Sequence, residues 1–150
     1  MCVEKIHDYW RSPTPENNPE TYARMVIGRS LFLVDKMRLN ARPKDKILEL
    51  GCNVGRNLAF LHHAGFMRLS GIDINPEAVR LSRSYFPELN KVEICASSIE
   101  EILSKKENLE YDVIFTMAVL EHLHPGSEWV FEKMAKISKK IMLIEDEITK

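Results

Sequence analysis

Five short apolar runs, each followed or preceded by a helical stretch, constrain this chain more than any other feature. They are Lys46-Ile47-Leu48-Glu49-Leu50, then Arg68–Ile72 ending at Asp73, Lys91–Ala96, Tyr111–Thr116 and Lys140–Ile144. Between them Asn57–Ala64, Pro76 to about Tyr85, Ser97 to about Lys105 and Glu128–Ile137 carry helical signals. Strands alternating with helices at this spacing build βαβ units. Runs as apolar as DVIF and IMLI suit a parallel sheet covered on both faces. The pattern predicts a doubly wound α/β fold, in which ligands bind beyond the carboxyl ends of the strands.

A different pattern precedes the first strand. The segment RSPTPENNP, residues 11–19, is a loop by its prolines and asparagines. It divides a short segment, Glu4–Trp10, from a helical stretch, Glu20–Leu39. In that stretch Tyr22, Met25, Val26, Leu33 and Met37 form one apolar stripe. Residues 1–45 are therefore expected to form an N-terminal helical cap and residues 46–150 the core. The whole chain, 150 residues, fits a single structural domain. Local signals also fix helix starts. Asn75-Pro76 is an N-cap followed by proline at the first helical position, and Ser97 with Glu100 reads as a capping box.

Composition excludes some classes of function. With 21 Lys+Arg against 22 Asp+Glu, the formal net charge is −1. That balance gives no overall basic footprint for nucleic acid and favours a small-molecule partner. No apolar run approaches the ~20 residues of a membrane-spanning helix, and Met1–Trp10 lacks the apolar stretch of a signal peptide. Cys2, Cys52 and Cys95 leave one thiol over in any disulfide scheme and show no CxxC spacing. They are expected to be reduced thiols in a cytoplasmic protein, without a structural zinc.

The residues that carry chemistry fall at the carboxyl ends of the expected strands. Gly51-Cys52-Asn53-Val54-Gly55 follows the first strand and opens a helix. Its glycines permit a sharp turn, but the G-x-x-x-G spacing is not the G-x-G-x-x-G of a dinucleotide fingerprint. Asp73 ends the second strand, where a carboxylate can accept two hydrogen bonds from ribose hydroxyls. A helix cap is the plainer role for it, but Asn75 already supplies the cap. Ser97-Ser98-Ile99 follows the third strand and offers small polar groups to a purine edge, or simply an N-cap. The fourth strand runs through Thr116-Met117 into Glu121-His122-Leu123 above the same ends.

Taken in order and spacing, ILELGCNVGRN, GIDINPEAV, ASSIEEI and YDVIFTMAVLEHL resemble the successive motifs of class I S-adenosylmethionine-dependent methyltransferases. The resemblance covers residues 46–145. It implies a Rossmann-like sheet of strand order 3-2-1-4-5 and S-adenosylmethionine as cofactor. By the resemblance Glu49, Gly51, Cys52, Asn53 and Gly55 line the methionine part, and Asp73 holds the ribose. Ile74 packs on adenine, Ser97, Ser98 and Ile99 meet its edge, and Thr116 and Met117 close the site beneath the sulfonium. Two positions depart from the pattern: Asn53 stands at the commoner middle glycine, and Ser97 stands where many members carry an acid. The family sheet usually has seven strands, whereas five are legible here.

His122 is the candidate general base, since it follows the fourth strand where the methyl group would lie; stabilising its loop is the alternative role. Glu121, His122 and His124 would also make a plausible metal set, but Ala118 occupies the earlier acidic position of the metal-dependent pattern, and no metal is expected. Tyr9, Trp10, Tyr22, Arg24 and Arg29 are candidates for a lid, with core packing the plainer role for Tyr22. A non-catalytic module pairing through its fifth strand is the main competing reading, and a nicotinamide dehydrogenase ranks behind it. Finally, Lys140–Ile144 is expected at the sheet edge, an apolar row inviting self-association or a partner chain that supplies the missing strands, opposed only by the acidic Glu145-Asp146-Glu147.

Overall fold

The computed structural model describes residues 2–12, 14–15, 18–24 and 27–145. Its centre is a five-stranded sheet made of β1 (Lys46–Leu50), β2 (Arg68–Asp73), β3 (Glu93–Ala96), β4 (Tyr111–Met117) and β5 (Ser138–Ile144). The order is β3-β2-β1-β4-β5 and every pairing is parallel. Leu50 of β1 pairs with Ile72 and Thr116, so the neighbouring strands end level with one another. The expected doubly wound, Rossmann-like α/β fold and its strand order are therefore present.

Seven helices surround this sheet among the described residues: α1 (Val3–Arg11), α2 (Pro19–Arg24), α3 (Gly28–Asn40), α4 (Arg56–His63), α5 (Pro76–Tyr85), α6 (Ile99–Ser104) and α7 (Trp129–Ile137). Period-2 alternation sends the strand side chains to two separate cores. On one face Ile47, Val113 and Phe115 pack with Leu33, Val34 and Met37 of α3 and Leu58 and Leu61 of α4. On the other, Leu48, Leu50 and Ile114 pack with Leu103 of α6 and Val130 and Met134 of α7. Thus α3, expected as part of a cap, contributes directly to the core of the sheet.

Several boundaries differ from the sequence expectation. The single helix expected over 20–39 is two helices, and α3 begins at Gly28, a residue unfavourable inside a helix and easier at its end. Met25 and Val26 of the expected stripe lie outside the described residues, while Leu33 and Met37 are buried. The third strand starts at Glu93 because Pro87–Lys91 forms a 3-10 turn. The fifth begins earlier than expected, at Ser138. Asn75 caps α5 as its sequence requires, its side chain accepting from the N–H groups of Glu77 and Ala78. The capping box on α6 is shifted by one residue. Ser98 is the N-cap and accepts from the N–H of Glu101 at 3.1 Å, while Ser97 donates its hydroxyl to the Glu101 carboxylate.

Candidate active site

A crevice opens where β1, β2, β3 and β4 end, spanning about 850 Å³ that includes space open to solvent. Its floor is built by two turns. After β1, Gly51 and Gly55 adopt left-handed backbone, with φ of +75 and +79, and Asn53 between them has φ 49. Asparagine tolerates that conformation better than most residues, and its Oδ1 accepts from the N–H of Val54. This explains how a side chain can stand at the commoner glycine position.

Asp73 meets this turn from the tip of β2. Its Oδ2 accepts from the backbone N–H of Asn53 at 2.6 Å and its Oδ1 from that of Asn75 at 2.8 Å. Burial pushes its carboxyl up from the usual range, and these two bonds oppose the shift. Each carboxylate oxygen keeps a second acceptor position. Beside it, the Nδ2 of Asn75 is buried and has no protein partner among the described residues.

The remaining wall comes from the other strand ends. Ile74, Ser97, Ser98 and Ile99 line one side, Met117, Ala118 and Val119 another, and His122 and His124 the far end. Ala118 holds φ 54, an unusual conformation for a residue with a Cβ. Ala118 donates its N–H to the carbonyl of Ile144, and Val119 donates its N–H to Oε2 of Glu145. Thr116 donates its hydroxyl to Oε1 of the same carboxylate at 3.0 Å. Glu145, which sequence reasoning treated only as part of an acidic tail, therefore braces the segment after β4. Asp146 and Glu147 lie outside the described residues.

Nine of the thirteen cofactor and base candidates thus line one crevice: Gly51, Asn53 and Asp73 at its floor, Ile74, Ser97, Ser98 and Ile99 along one side, Met117 and His122 on the other. Glu49, Cys52, Gly55 and Thr116 are not among the residues that line it. Glu49 is 1% exposed and accepts from Nδ2 of Asn57 at 2.8 Å. Its Oε2 has no partner among the described residues, and burial raises its pKa to about 8. Cys52 is buried, which pushes its thiol well up. Gly55 is where α4 approaches the core: a Cβ there would stand 2.7 Å from Leu89. The Thr116 side chain is fully buried against Glu145.

Gly51 has a second reason beside the sharp turn expected of it. A Cβ at Gly51 would stand 2.5 Å from Cγ2 of Val119, so the glycine makes room for the neighbouring loop. Of the lid candidates, Trp10 and Tyr22 line the crevice and Tyr9 stacks edge-on to Trp10 at 5.0 Å. Arg24 pairs with Glu20 on the same exposed helix. Sequence reasoning missed Ile6, His7 and Glu100, which line the mouth. It also missed Arg56, whose guanidinium donates to Ser30 Oγ and the carbonyl of Tyr22. Glu121 lies 3.5 Å from His122, but no group of three His, Cys, Asp or Glu gathers among the described residues, so the alternative metal set is not assembled.

A parallel sheet of order 3-2-1-4-5 with this crevice agrees with a family profile described as a methyltransferase domain, which matches residues 47–140. The chain belongs to the methyltransferase-domain family. The structure of this methyltransferase domain resembles magnesium protoporphyrin IX methyltransferase from Synechocystis PCC 6803, solved with bound SAM. The TM-score is 0.70 at 17% identity, covering 93% of this chain and 74% of that one. It also resembles a SAM-dependent methyltransferase from Archaeoglobus fulgidus, with TM-score 0.58 at 18% identity, covering 79% and 52%. The bifunctional kinase-methyltransferase WbdD matches with TM-score 0.66 at 23% identity, covering 95% and 35%. At these identities the likeness is one of fold, and the chain spans as little as 35% of the length of such a protein. A comparison with curated proteins found no match.

Proposed function

We propose that this methyltransferase domain binds S-adenosylmethionine in the crevice and transfers its methyl group to a small-molecule acceptor. The observation that carries the reading is the convergence on one crevice of segments from four strand ends, with the Asp73 carboxylate at its floor. The donor set suits the cofactor. Asp73 has acceptor positions left for ribose hydroxyls, Asn75 Nδ2 is a donor without a protein partner, and Ile74 and Ile99 offer apolar surface to a purine.

When bound, S-adenosylmethionine supplies an electrophilic methyl carbon on a cationic sulfur. The domain's own residues then orient the reactants and exclude water, the main tasks for an in-line displacement. Asp73 holds the ribose, Ser97 and Ser98 meet the adenine edge, and Gly51 and Asn53 form the turn against the methionine part. Met117 closes the floor below the sulfur, with Glu49, Cys52, Gly55 and Thr116 shaping that floor from behind. His122 takes the acceptor's proton where the acceptor must lose one.

We further propose that residues 1–45 act as a cap on the core, and that two copies associate through β5. The three free cysteines suit the cytoplasm, and no described helix is long and apolar enough to cross a membrane. Thermal unfolding with S-adenosylmethionine, S-adenosylhomocysteine or NAD tests the cofactor, because a ligand that binds only the folded state raises its stability. The first two are expected to raise Tm and NAD to leave it unchanged; a shift with NAD alone, or with none of the three, overturns the reading. His122→Ala is expected to lower kcat while leaving cofactor affinity within a few fold, and unchanged turnover makes His122 structural.

A further inference from the structure

Helix α1 crosses the mouth of the crevice and contains no buried residue. A helix of nine residues is marginal by itself in water, so its place depends on contacts with the rest of the domain. Ile6 and Trp10 face the crevice, and the Trp10 ring lies on the imidazole of His122, with centroids 4.5 Å apart and planes inclined by 44°. His7 reaches 93 residues along the chain, its Nε2 3.2 Å from Oε2 of Glu100. The other oxygen of that carboxylate accepts the hydroxyl of Ser127 at 2.7 Å. Both side chains of the His7–Glu100 pair are sheltered, 17% and 15% exposed.

Glu100 is available for this because the cap of α6 is Ser98 with Glu101. One residue before Glu101 in the first turn, Glu100 makes its contacts with α1 and the segment after β4 instead. We propose that Glu100 is a positioning residue that closes the crevice, holding α1 across its mouth through His7 and the loop after β4 through Ser127. Its carboxylate brings Trp10 and His122 together by fixing the elements that carry them. A closed mouth keeps water from the reacting atoms and slows cofactor exchange. That consequence rests on the crevice being the cofactor site; the tie itself does not.

The test uses the full chain with Trp129→Phe, which leaves Trp10 as the sole tryptophan of two. Acrylamide quenching of Trp10 is measured without cofactor in Glu100→Ala, Glu100→Gln and His7→Ala. In Glu100→Ala quenching is expected to rise several-fold. Glu100→Gln is expected to stay near wild type, because its amide oxygen still accepts from Ser127 and its amide group still reaches the ring nitrogen of His7. His7→Ala cuts only the tie to α1, and is expected to raise quenching while far-UV circular dichroism and the urea midpoint of the core hold. The dissociation rate of S-adenosylhomocysteine is expected to rise several-fold in both alanine variants. Unchanged quenching in a folded Glu100→Ala overturns the proposal. If that variant does not fold, unchanged quenching in His7→Ala overturns it. If S-adenosylhomocysteine fails to bind even the wild type, the cofactor reading fails while quenching still decides the tie.

Discussion

Asn53 donates its backbone N–H to the carboxylate of Asp73 at 2.6 Å, joining the turn after β1 to the tip of β2. One acidic side chain thereby shapes the floor of the crevice and presents its remaining acceptor positions to it. Asp73→Ala is expected to weaken S-adenosylmethionine binding by about 1.5–3 kcal/mol, the scale of hydrogen bonds to a charged group. Asp73→Asn, which keeps one acceptor oxygen, is expected to lose less. Titration calorimetry checks both, and unchanged affinity in the alanine variant removes Asp73 from the cofactor site.

Gly51 faces Val119 across the β1–β4 boundary. Gly51→Ala is expected to destabilise the fold in two ways: left-handed backbone costs about 1–2 kcal/mol for a residue with a Cβ, and the overlap with Val119 adds about 1–3 kcal/mol. Adding Val119→Ala relieves the overlap and leaves the backbone cost. Urea unfolding of the two single variants and the double variant measures the coupling. Strict additivity contradicts the contact.

Glu49 supplies a pH dependence whose sign follows from its burial. Its pKa rises from the ordinary 4.5 to about 8 in the folded state, because burial penalises its charge and Asp73 repels it, which outweighs the hydrogen bond from Asn57 and the charge of Arg56. Between those values the unfolded chain has released the proton and the folded chain retains it. This group's contribution to stability is therefore complete below pH 4.5 and declines until about pH 8. Glu49→Gln removes the titration and keeps an oxygen for Asn57. The difference in unfolding free energy between wild type and variant is expected to turn against the wild type across that window. A difference independent of pH shows that the carboxyl titrates normally.

Strand β5 ends the sheet, and its outer edge pairs with no strand among the described residues. Alternation turns Met142 and Ile144 onto the α3–α4 core and leaves Ile141 and Leu143, 38% and 47% exposed, on the opposite face. An apolar edge of this kind favours pairing with another chain. Light scattering is expected to show concentration-dependent association that Ile141→Lys with Leu143→Lys abolishes. A monomer at every concentration sets self-association aside.

Where the physics is local, the sequence alone determined the outcome. The alternation of apolar runs with amphipathic stretches specified five strands, the helices between them and a parallel sheet, because side-chain periodicity depends only on near neighbours. Asn75-Pro76 started α5 where expected, since a cap and a proline act within one turn. The order of the motifs was also enough to bring Gly51, Asp73, Ser98 and Met117 to the same end of the sheet.

Tertiary structure decided which of those residues face the crevice and what each one meets. Strand pairing and helix packing bury Glu49 and Thr116, where Glu49 meets Asn57 and Thr116 meets Glu145. Gly51 opens space for Val119, a residue far along the chain. Glu100 was read as half of a capping box, and a shift of one residue turned it to His7 and Ser127 instead. Such roles depend on contacts between segments dozens of residues apart. No local pattern encodes these distances, because they exist only once the sheet has assembled and the helices have packed on both its faces.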